Sequence, residues 1–280
     1  MRAPRLIWQD APQGEIPVRF RVSKKHSCEC FLLTTCSSFD MDEQQRMSVF
    51  QAQTKNVWEL HHAWKHVNRQ INDLLVHKDN KAVEVNTKIL AVIHCALAEA
   101  EFSKLIHTPH GLTLDEIEQI KKIAKANGVK FGWMKCAELA VSRVGGAKHN
   151  HRPNVLQKLT TMIEEFIYDP SLIRNKLAHG QWCVALNSEN TAVNNDLTGE
   201  MAAYTVVDFY RRRHSLEHLA AILEDLIESP NRAHRRDYWT RLSELETEQR
   251  EMSVWTLEHK IAQLRTKKSW SSNTGTNSRL

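Results

Sequence analysis

The chain is poor in the residues that interrupt helices. Its 280 residues include only 9 glycines and 7 prolines, while charged residues make up 25%. This composition favours a helical protein over a β-sandwich, whose many tight turns depend on glycine and proline. Three of the prolines, Pro4, Pro12 and Pro17, lie near the N-terminus. We therefore predict that residues 1–41 form an N-terminal arm, poorly ordered or loosely docked, without a long helix.

Long apolar runs are also missing. No stretch approaches the roughly 18 apolar residues of a transmembrane helix, so we expect no contact with a membrane. Arg2 and Arg5 open the chain, but the continuous apolar segment of a secretion signal does not follow them. The six cysteines are scattered, which is typical of a cytoplasmic protein with reduced thiols; they are Cys28, Cys30, Cys36, Cys95, Cys136 and Cys183.

Signals for a metal ion or a cofactor are weak. Three cysteines fall in Cys28–Cys36, close to His26, but the paired C-x2-C knuckles of common zinc sites are absent. His62 and His66 are four residues apart, yet the Glu that follows the first His in metalloproteases is missing. The chain also has no glycine-rich dinucleotide or P-loop signature. We predict no metal site and no cofactor. The alternatives considered are zinc bound near Cys28 and a metal ion held by His62 and His66, which we expect to be an ordinary surface pair.

From Asp42 onward, apolar residues recur at three- and four-residue steps, which predicts helices. We expect one all-α domain over residues 42–265, followed by a polar, low-complexity tail over 266–280 that is predicted to be disordered. The predicted helices cover residues 42–76, 82–107, 114–126, 131–144, 153–169, 170–179, 206–228 and 234–264. Residues 183–187 and 200–204 alternate like short strands around a polar turn, which predicts a small β-hairpin insertion.

One short helix carries the residues of greatest chemical interest. Asp169 suits the N-cap position, Pro170 the first helical position and Gly180 the position after the helix end. Within it lie Arg174, a permanent planar cation that binds phosphate, and His179, which exchanges protons near neutral pH.

The spacing of these residues has a geometric consequence. Asn175 and His179 are four residues apart and share a helix face, so Asn175 can orient a partner by hydrogen bonding. Arg174 and His179 are five residues apart, about 140° around a helix. The two side chains of one helix therefore do not point at the same phosphate. A second copy across a two-fold axis would bring them together, which hints at a composite site in a dimer.

The run Arg174–Gly180 resembles the signature of the HEPN superfamily, an Arg often followed by Asn and then by a His after four to six residues. The bare spacing is not specific, since Arg143 and His149 also satisfy it. The context of Asn175, the proline-initiated helix and the following Gly-Gln-Trp singles out this copy. The resemblance implies an up-and-down HEPN-like helical bundle with the signature on a late helix.

The same resemblance implies an activity. Active HEPN proteins are metal-independent endoribonucleases of toxin–antitoxin, abortive-infection and CRISPR-associated systems, and they usually dimerise with their signatures facing each other. Carried onto this chain, His179 would be the general acid or base, Arg174 would hold the phosphate and Asn175 would orient either one. The expected products carry 2′,3′-cyclic phosphate and 5′-hydroxyl ends. The expected partners are RNA, a second copy of the chain and an antitoxin or regulatory protein.

Basic residues outside the signature are candidate RNA contacts. The net charge is +5, from 38 Lys and Arg against 33 Asp and Glu, which permits an acidic partner without demanding one. Lys176 lies within the signature, and Arg211, Arg212 and Arg213 are consecutive on a predicted helix. Because consecutive residues point around the helix, not all three can be buried, and a solvated face is the alternative to RNA binding.

Two other readings of the whole chain remain open. A non-catalytic HEPN-like module would use the same basic residues to bind RNA, nucleotide or a partner protein without cleaving anything. A helical scaffold without a nucleic-acid role would neither bind nor cleave RNA. Salt-sensitive RNA affinity distinguishes the module from the scaffold, and cleavage distinguishes the enzyme from both.

Overall fold

Helices account for nearly all regular structure in the computed structural model, which describes residues 41–145, 151–228 and 234–274, with the side chains of 237–266 in the last range. Within these ranges the protein is all-α, as predicted, and the only strand-like feature is one isolated bridge. The helices are α1 (Glu43–His77), α2 (Asn80–Ile106), α3 (Leu114–Asn127), α4 (Val129–Ser142), α5 (His151–Ile163), α6 (Asp169–Ala178), α7 (Asn195–Ala203), α8 (Val206–Glu228), α9 (His234–Met252) and α10 (Leu257–Thr274).

Local capping chemistry sets several of these boundaries. Asp42 and Gln45 form a reciprocal capping box at the start of α1, and Thr113 and Glu116 form another at the start of α3. Each box satisfies backbone N–H groups that a helix start leaves unpaired. Only Lys78 and Asp79 separate α1 from α2, a connection short enough to require neighbouring helices. The predicted arm over residues 1–41 lies outside the described residues except for its last residue.

The apolar residues gather into two buried clusters that share α2 and α8. One joins the second half of α2 to α3, α4, α5, α8 and α9 around the fully buried Trp133. The other joins α1 and the first half of α2 to α6, α7 and the start of α8 around Trp64 and Phe209. No described helix is long and apolar enough to cross a membrane.

The predicted start of the signature helix is wrong, because α5 runs without a break into α6 through a π-helical turn, Glu164–Tyr168. Asp169 is helical and its side chain caps nothing, so it is not an N-cap. Pro170 has no N–H to offer the carbonyl of Phe166 four residues earlier, and its ring would crowd that carbonyl in a regular helix. The wider π turn relieves the crowding, and His94 Nε2 lies 3.1 Å from the free Phe166 oxygen as its hydrogen-bond partner.

The predicted β-hairpin is also wrong. Residues 183–187 form only one isolated antiparallel bridge, between Leu186 and Val193. Most of the expected second strand, residues 200–204, belongs to helix α7. Asn194 caps that helix by accepting a hydrogen bond from Leu197 N–H. Met201, four residues beyond Leu197, is buried in the second cluster, so packing of one helical face outweighs the alternating pattern.

The last predicted helix, residues 234–264, is two helices. α9 ends at Met252 and α10 begins at Leu257, where the Thr256 hydroxyl accepts a hydrogen bond from the backbone N–H of His259. α10 continues to Thr274, within the stretch for which a disordered tail was predicted, and residues 275–280 lie outside the described residues. Leu257, Ile261 and Leu264 of α10 pack against the second cluster.

Candidate functional site

Two buried residues and a helix cap position the signature on α6. Ile173 and Leu177, four residues apart, are each 3% exposed and anchor α6 in the second cluster. Gly180 has a φ of 77°, and its N–H bonds to the Leu177 carbonyl while the Gln181 N–H bonds to that of Lys176. This pair of bonds is a Schellman motif, so the predicted role of Gly180 at the helix end is confirmed.

Arg174 and Asn175 lie together on the exposed side of α6. The Arg174 guanidinium donates to Glu99 Oε1 on α2 at 2.9 Å and to Asn175 Oδ1 at 3.2 Å. The hydrogen bond places the Asn175 amide against the guanidinium, and a role for Asn175 in orienting Arg174 stays a prediction. Glu99 was not anticipated from the sequence, because it lies 75 residues earlier in the chain. The ion pair is partly exposed at both ends, so an incoming anion can replace the carboxylate at modest cost.

The two residues open onto a cleft of about 240 Å³ whose other walls come from α2, the start of α4 and the π turn. Its aromatic walls are Phe131 and Tyr168, whose rings are 45% and 39% exposed and so accessible to a ligand. Lys130 Nζ lies 4.3 Å from the centre of the Tyr168 ring. Cations beside exposed aromatic rings suit a single-stranded nucleic acid, whose phosphates pair with the cations and whose bases stack on the rings.

His179 does not belong to this cleft. It is the C-cap of α6, its side chain is exposed, and its ring has no hydrogen-bond or ion-pair partner among the described residues. The ring is therefore accessible to an approaching molecule. Within one chain, the structure brings Arg174 and Asn175 together but leaves His179 at the end of the helix.

Lys176, predicted to contact RNA, has an internal partner. Its Nζ donates to the Leu186 carbonyl at 2.6 Å, and Leu186 N–H donates to Gln181 Oε1 at 2.8 Å. Trp182 Nε1 also bonds back to the Leu177 carbonyl at 3.0 Å. These contacts fold the segment after α6 against the helix end, so Lys176 anchors the loop that follows His179.

The three consecutive arginines of α8 separate, as expected from helix geometry. Arg213 faces inward, donating to Glu217 at 2.7 Å and lying 5.3 Å from the Trp64 ring. Arg211 and Arg212 instead line a second cleft, of about 250 Å³. Arg212 lies 4.2 Å above the Tyr204 ring, and its Nη1 is buried without a hydrogen-bond partner in the part of the chain described.

The second cleft carries an acidic group opposite its arginines. Partial burial raises the pKa of Glu165, and the guanidinium of Arg212 opposes that rise. Asp208 lies 3.9 Å from Arg211. The arginines therefore have local counter-charges, and Arg211 and Arg212 are better placed for an anion than Arg213, whose guanidinium is occupied.

Comparisons of the chain with protein-family models, with curated proteins and with solved structures found no match. Evidence for a function therefore comes from the signature helix, its cleft and the residues around them.

Proposed function

We propose that this protein is a metal-independent endoribonuclease of the HEPN type, working in the cytoplasm as a homodimer in antiviral defence or as a toxin. RNA would be cut by attack of its 2′-hydroxyl on the adjacent phosphate, leaving 2′,3′-cyclic phosphate and 5′-hydroxyl ends. An antitoxin or regulatory protein would control it.

The observation that carries this proposal is the pairing of Arg174 and Asn175 at the mouth of an aromatic cleft. His179 is exposed at the end of the same helix, with no partner among the described residues. Arg174 would exchange Glu99 for a phosphate, forming charge-assisted hydrogen bonds as negative charge develops. Phe131 and Tyr168 would stack on neighbouring bases and fix the position of the strand.

Proton transfer would come from His179 of a second copy. Because Arg174 and His179 of one chain do not share the cleft, each complete site would combine the arginine of one protomer with the histidine of its partner. A two-fold axis makes two such sites, since the same surface is used by both copies. The histidine would remove the 2′-hydroxyl proton or protonate the leaving 5′-oxygen.

A second candidate function is RNA binding without cleavage. It is favoured by the occupied state of Arg174, which Glu99 holds at 2.9 Å, and by the absence of His179 from the cleft lining. Such a module would keep salt-sensitive affinity for single strands through Lys130, Arg174 and the aromatic rings.

Cleavage of a mixed, end-labelled RNA in EDTA tests the proposal. We expect wild type to produce cyclic-phosphate ends, and Arg174→Ala and His179→Ala to be folded but inactive. The matched controls are Arg69→Ala and His259→Ala, which remove exposed side chains on α1 and α10. Cleavage that persists in His179→Ala contradicts the mechanism, and RNA binding by wild type without cleavage favours the second candidate.

A further inference from the structure

Two histidines and a glutamate converge where α8 meets α9, away from the signature helix. His214 and His218 are four residues apart on α8, and their rings stack with centroids 4.8 Å apart and planes inclined by 22°. Glu248 of α9 places Oε2 3.0 Å from His218 Nε2 and 3.4 Å from His214 Nδ1. One ligand-type atom from each residue falls within a span of 4.8 Å.

The atoms that converge are short of hydrogen bonds. His214 Nδ1 and Glu248 Oε2 are shielded from solvent and, among the described residues, neither makes a hydrogen bond of acceptable geometry. Polar atoms withdrawn from water normally find a partner, because leaving them unpaired costs free energy. A group that accepts lone pairs from all three side chains would satisfy them at once.

We propose that His214, His218 and Glu248 form a binding site for a divalent transition metal ion, with Zn²⁺ the best match. Zinc binds imidazole nitrogen and carboxylate oxygen at about 2.0–2.2 Å in tetrahedral geometry, which separates neighbouring ligand atoms by about 3.4 Å. The two distances to Glu248 Oε2, 3.0 and 3.4 Å, are close to this spacing, and all three ligand atoms lie within 4.8 Å of one another. Mg²⁺ and Ca²⁺ prefer all-oxygen sites, so they are poor competitors.

The surroundings suit a cation. Glu244 lies one turn before Glu248 on α9, and its carboxylate adds negative charge close to His218. Arg241, whose positive charge acts on His218, is paired with Asp225, which accepts its hydrogen bond at 2.7 Å. Glu248 also lines an open groove along α9, and the fourth ligand of a tetrahedral zinc held by three side chains is commonly a water molecule.

The ion would join two walls of the second cleft. Arg211 and Arg212 of α8 precede His214 by less than one turn, and Gln249 and Met252 of α9 lie one and four residues after Glu248. A metal that links α8 to α9 therefore fixes the arginines relative to the opposite wall. This proposal concerns metal binding and helix pairing, and it does not depend on whether the protein cleaves RNA.

The test uses the full-length protein, stripped with EDTA and dialysed free of chelator. We expect it to bind one Zn²⁺ per chain, to melt at a higher temperature with Zn²⁺ than without, and to give the visible bands of tetrahedral Co²⁺. Each of His214→Gln, His218→Gln and Glu248→Gln is expected to weaken Zn²⁺ binding at least about tenfold.

His62 and His66 supply the matched control, because they have the same four-residue spacing on α1 but belong to no described group of three ligands. The double variant His62→Gln, His66→Gln is expected to retain the Co²⁺ bands and the Zn²⁺-dependent melting shift. The proposal is overturned if wild type gives neither signal, or if the His214, His218 and Glu248 variants keep both.

Discussion

The imidazole of His94 makes protein stability depend on pH in a defined window. The residue is fully buried on α2, and Phe166 of the π turn provides the oxygen to which its Nε2 is hydrogen-bonded. Burial is the main cause that lowers its pKa from 6.5 to about 4, with the charges of Arg212 and Arg213 contributing and the bond to Phe166 opposing. The other nitrogen, Nδ1, has no hydrogen-bond partner in the described structure, so a second ring proton would be buried unpaired.

The sign of the effect follows from which state binds the proton first. On acidification below 6.5 the unfolded chain takes up a proton at His94 while the folded chain does not. The free energy of unfolding therefore falls as the pH drops from 6.5, and the His94 contribution stops falling once the pH passes about 4. The difference in pKa, at about 1.4 kcal/mol per pH unit, corresponds to a loss of about 3 kcal/mol.

Urea unfolding followed by circular dichroism across this window measures the effect. His94→Gln is expected to be less stable than wild type at pH 7, because the ring packs beside Trp64 and Phe209. Its free energy of unfolding should nevertheless fall less than that of wild type on acidification, by about 3 kcal/mol. The control His259→Gln, an exposed histidine, should follow the wild-type curve. Parallel curves for wild type and His94→Gln would refute the reasoning.

Three further predictions concern ion pairing and packing. Glu99→Gln should release Arg174 and lower the Kd for single-stranded RNA by up to about fivefold, since such exposed pairs contribute about 0.2–1 kcal/mol; unchanged binding in a titration would contradict a phosphate role for Arg174. Gly132→Ala should lower the free energy of unfolding by about 1–3 kcal/mol, because the added Cβ would lie 2.8 Å from Phe102 Cζ. In Gly199→Ala the added Cβ meets nothing within 4 Å, and because alanine favours a helix the free energy of unfolding should instead rise by about 0.5–1 kcal/mol. If the two variants unfold at the same urea concentration, the packing argument is contradicted.

The helices that sequence predicts well are those with local signals at their ends. α8 occupies Val206–Glu228 as predicted, and α1 and α2 differ from prediction by at most two residues at each end. Capping residues such as Asp42 and Thr113 act on neighbours three residues away, so their effect is visible in the sequence. The break between α9 and α10 has one local signal, the Thr256 cap, while the packing of α10 against the second cluster is not visible in the local sequence.

The continuous α5–α6 helix depends on a contact that sequence spacing does not reveal. A Pro preceded by Asp is as typical of a helix start as of a kinked interior. In this protein Pro170 lies inside a continuous helix, and this arrangement is supported by His94, which is hydrogen-bonded to the Phe166 carbonyl 72 residues later in the chain. The same limitation applies to the cleft, where Glu99, Phe131 and Tyr168 join Arg174 only through the fold.

The positions of the signature residues were predicted only in part. Helix geometry correctly separated Arg174 from His179 and distributed Arg211, Arg212 and Arg213 around α8. It did not anticipate that Lys176 would bond to the Leu186 carbonyl, because the loop after α6 was predicted to be a strand. The histidine pair on α8 is visible as His-x3-His, but the third ligand-type residue comes from another helix.

Mixing of the two inactive variants tests the composite site most directly. In a dimer of Arg174→Ala with His179→Ala, one site loses both groups and the other keeps the arginine of one chain and the histidine of its partner. After the variants are mixed and allowed to exchange subunits, we expect RNA cleavage in EDTA to return to about a quarter of the wild-type rate, since half of the dimers are mixed and each has one intact site. No recovery in mixtures shown to contain mixed dimers would contradict a site shared between protomers.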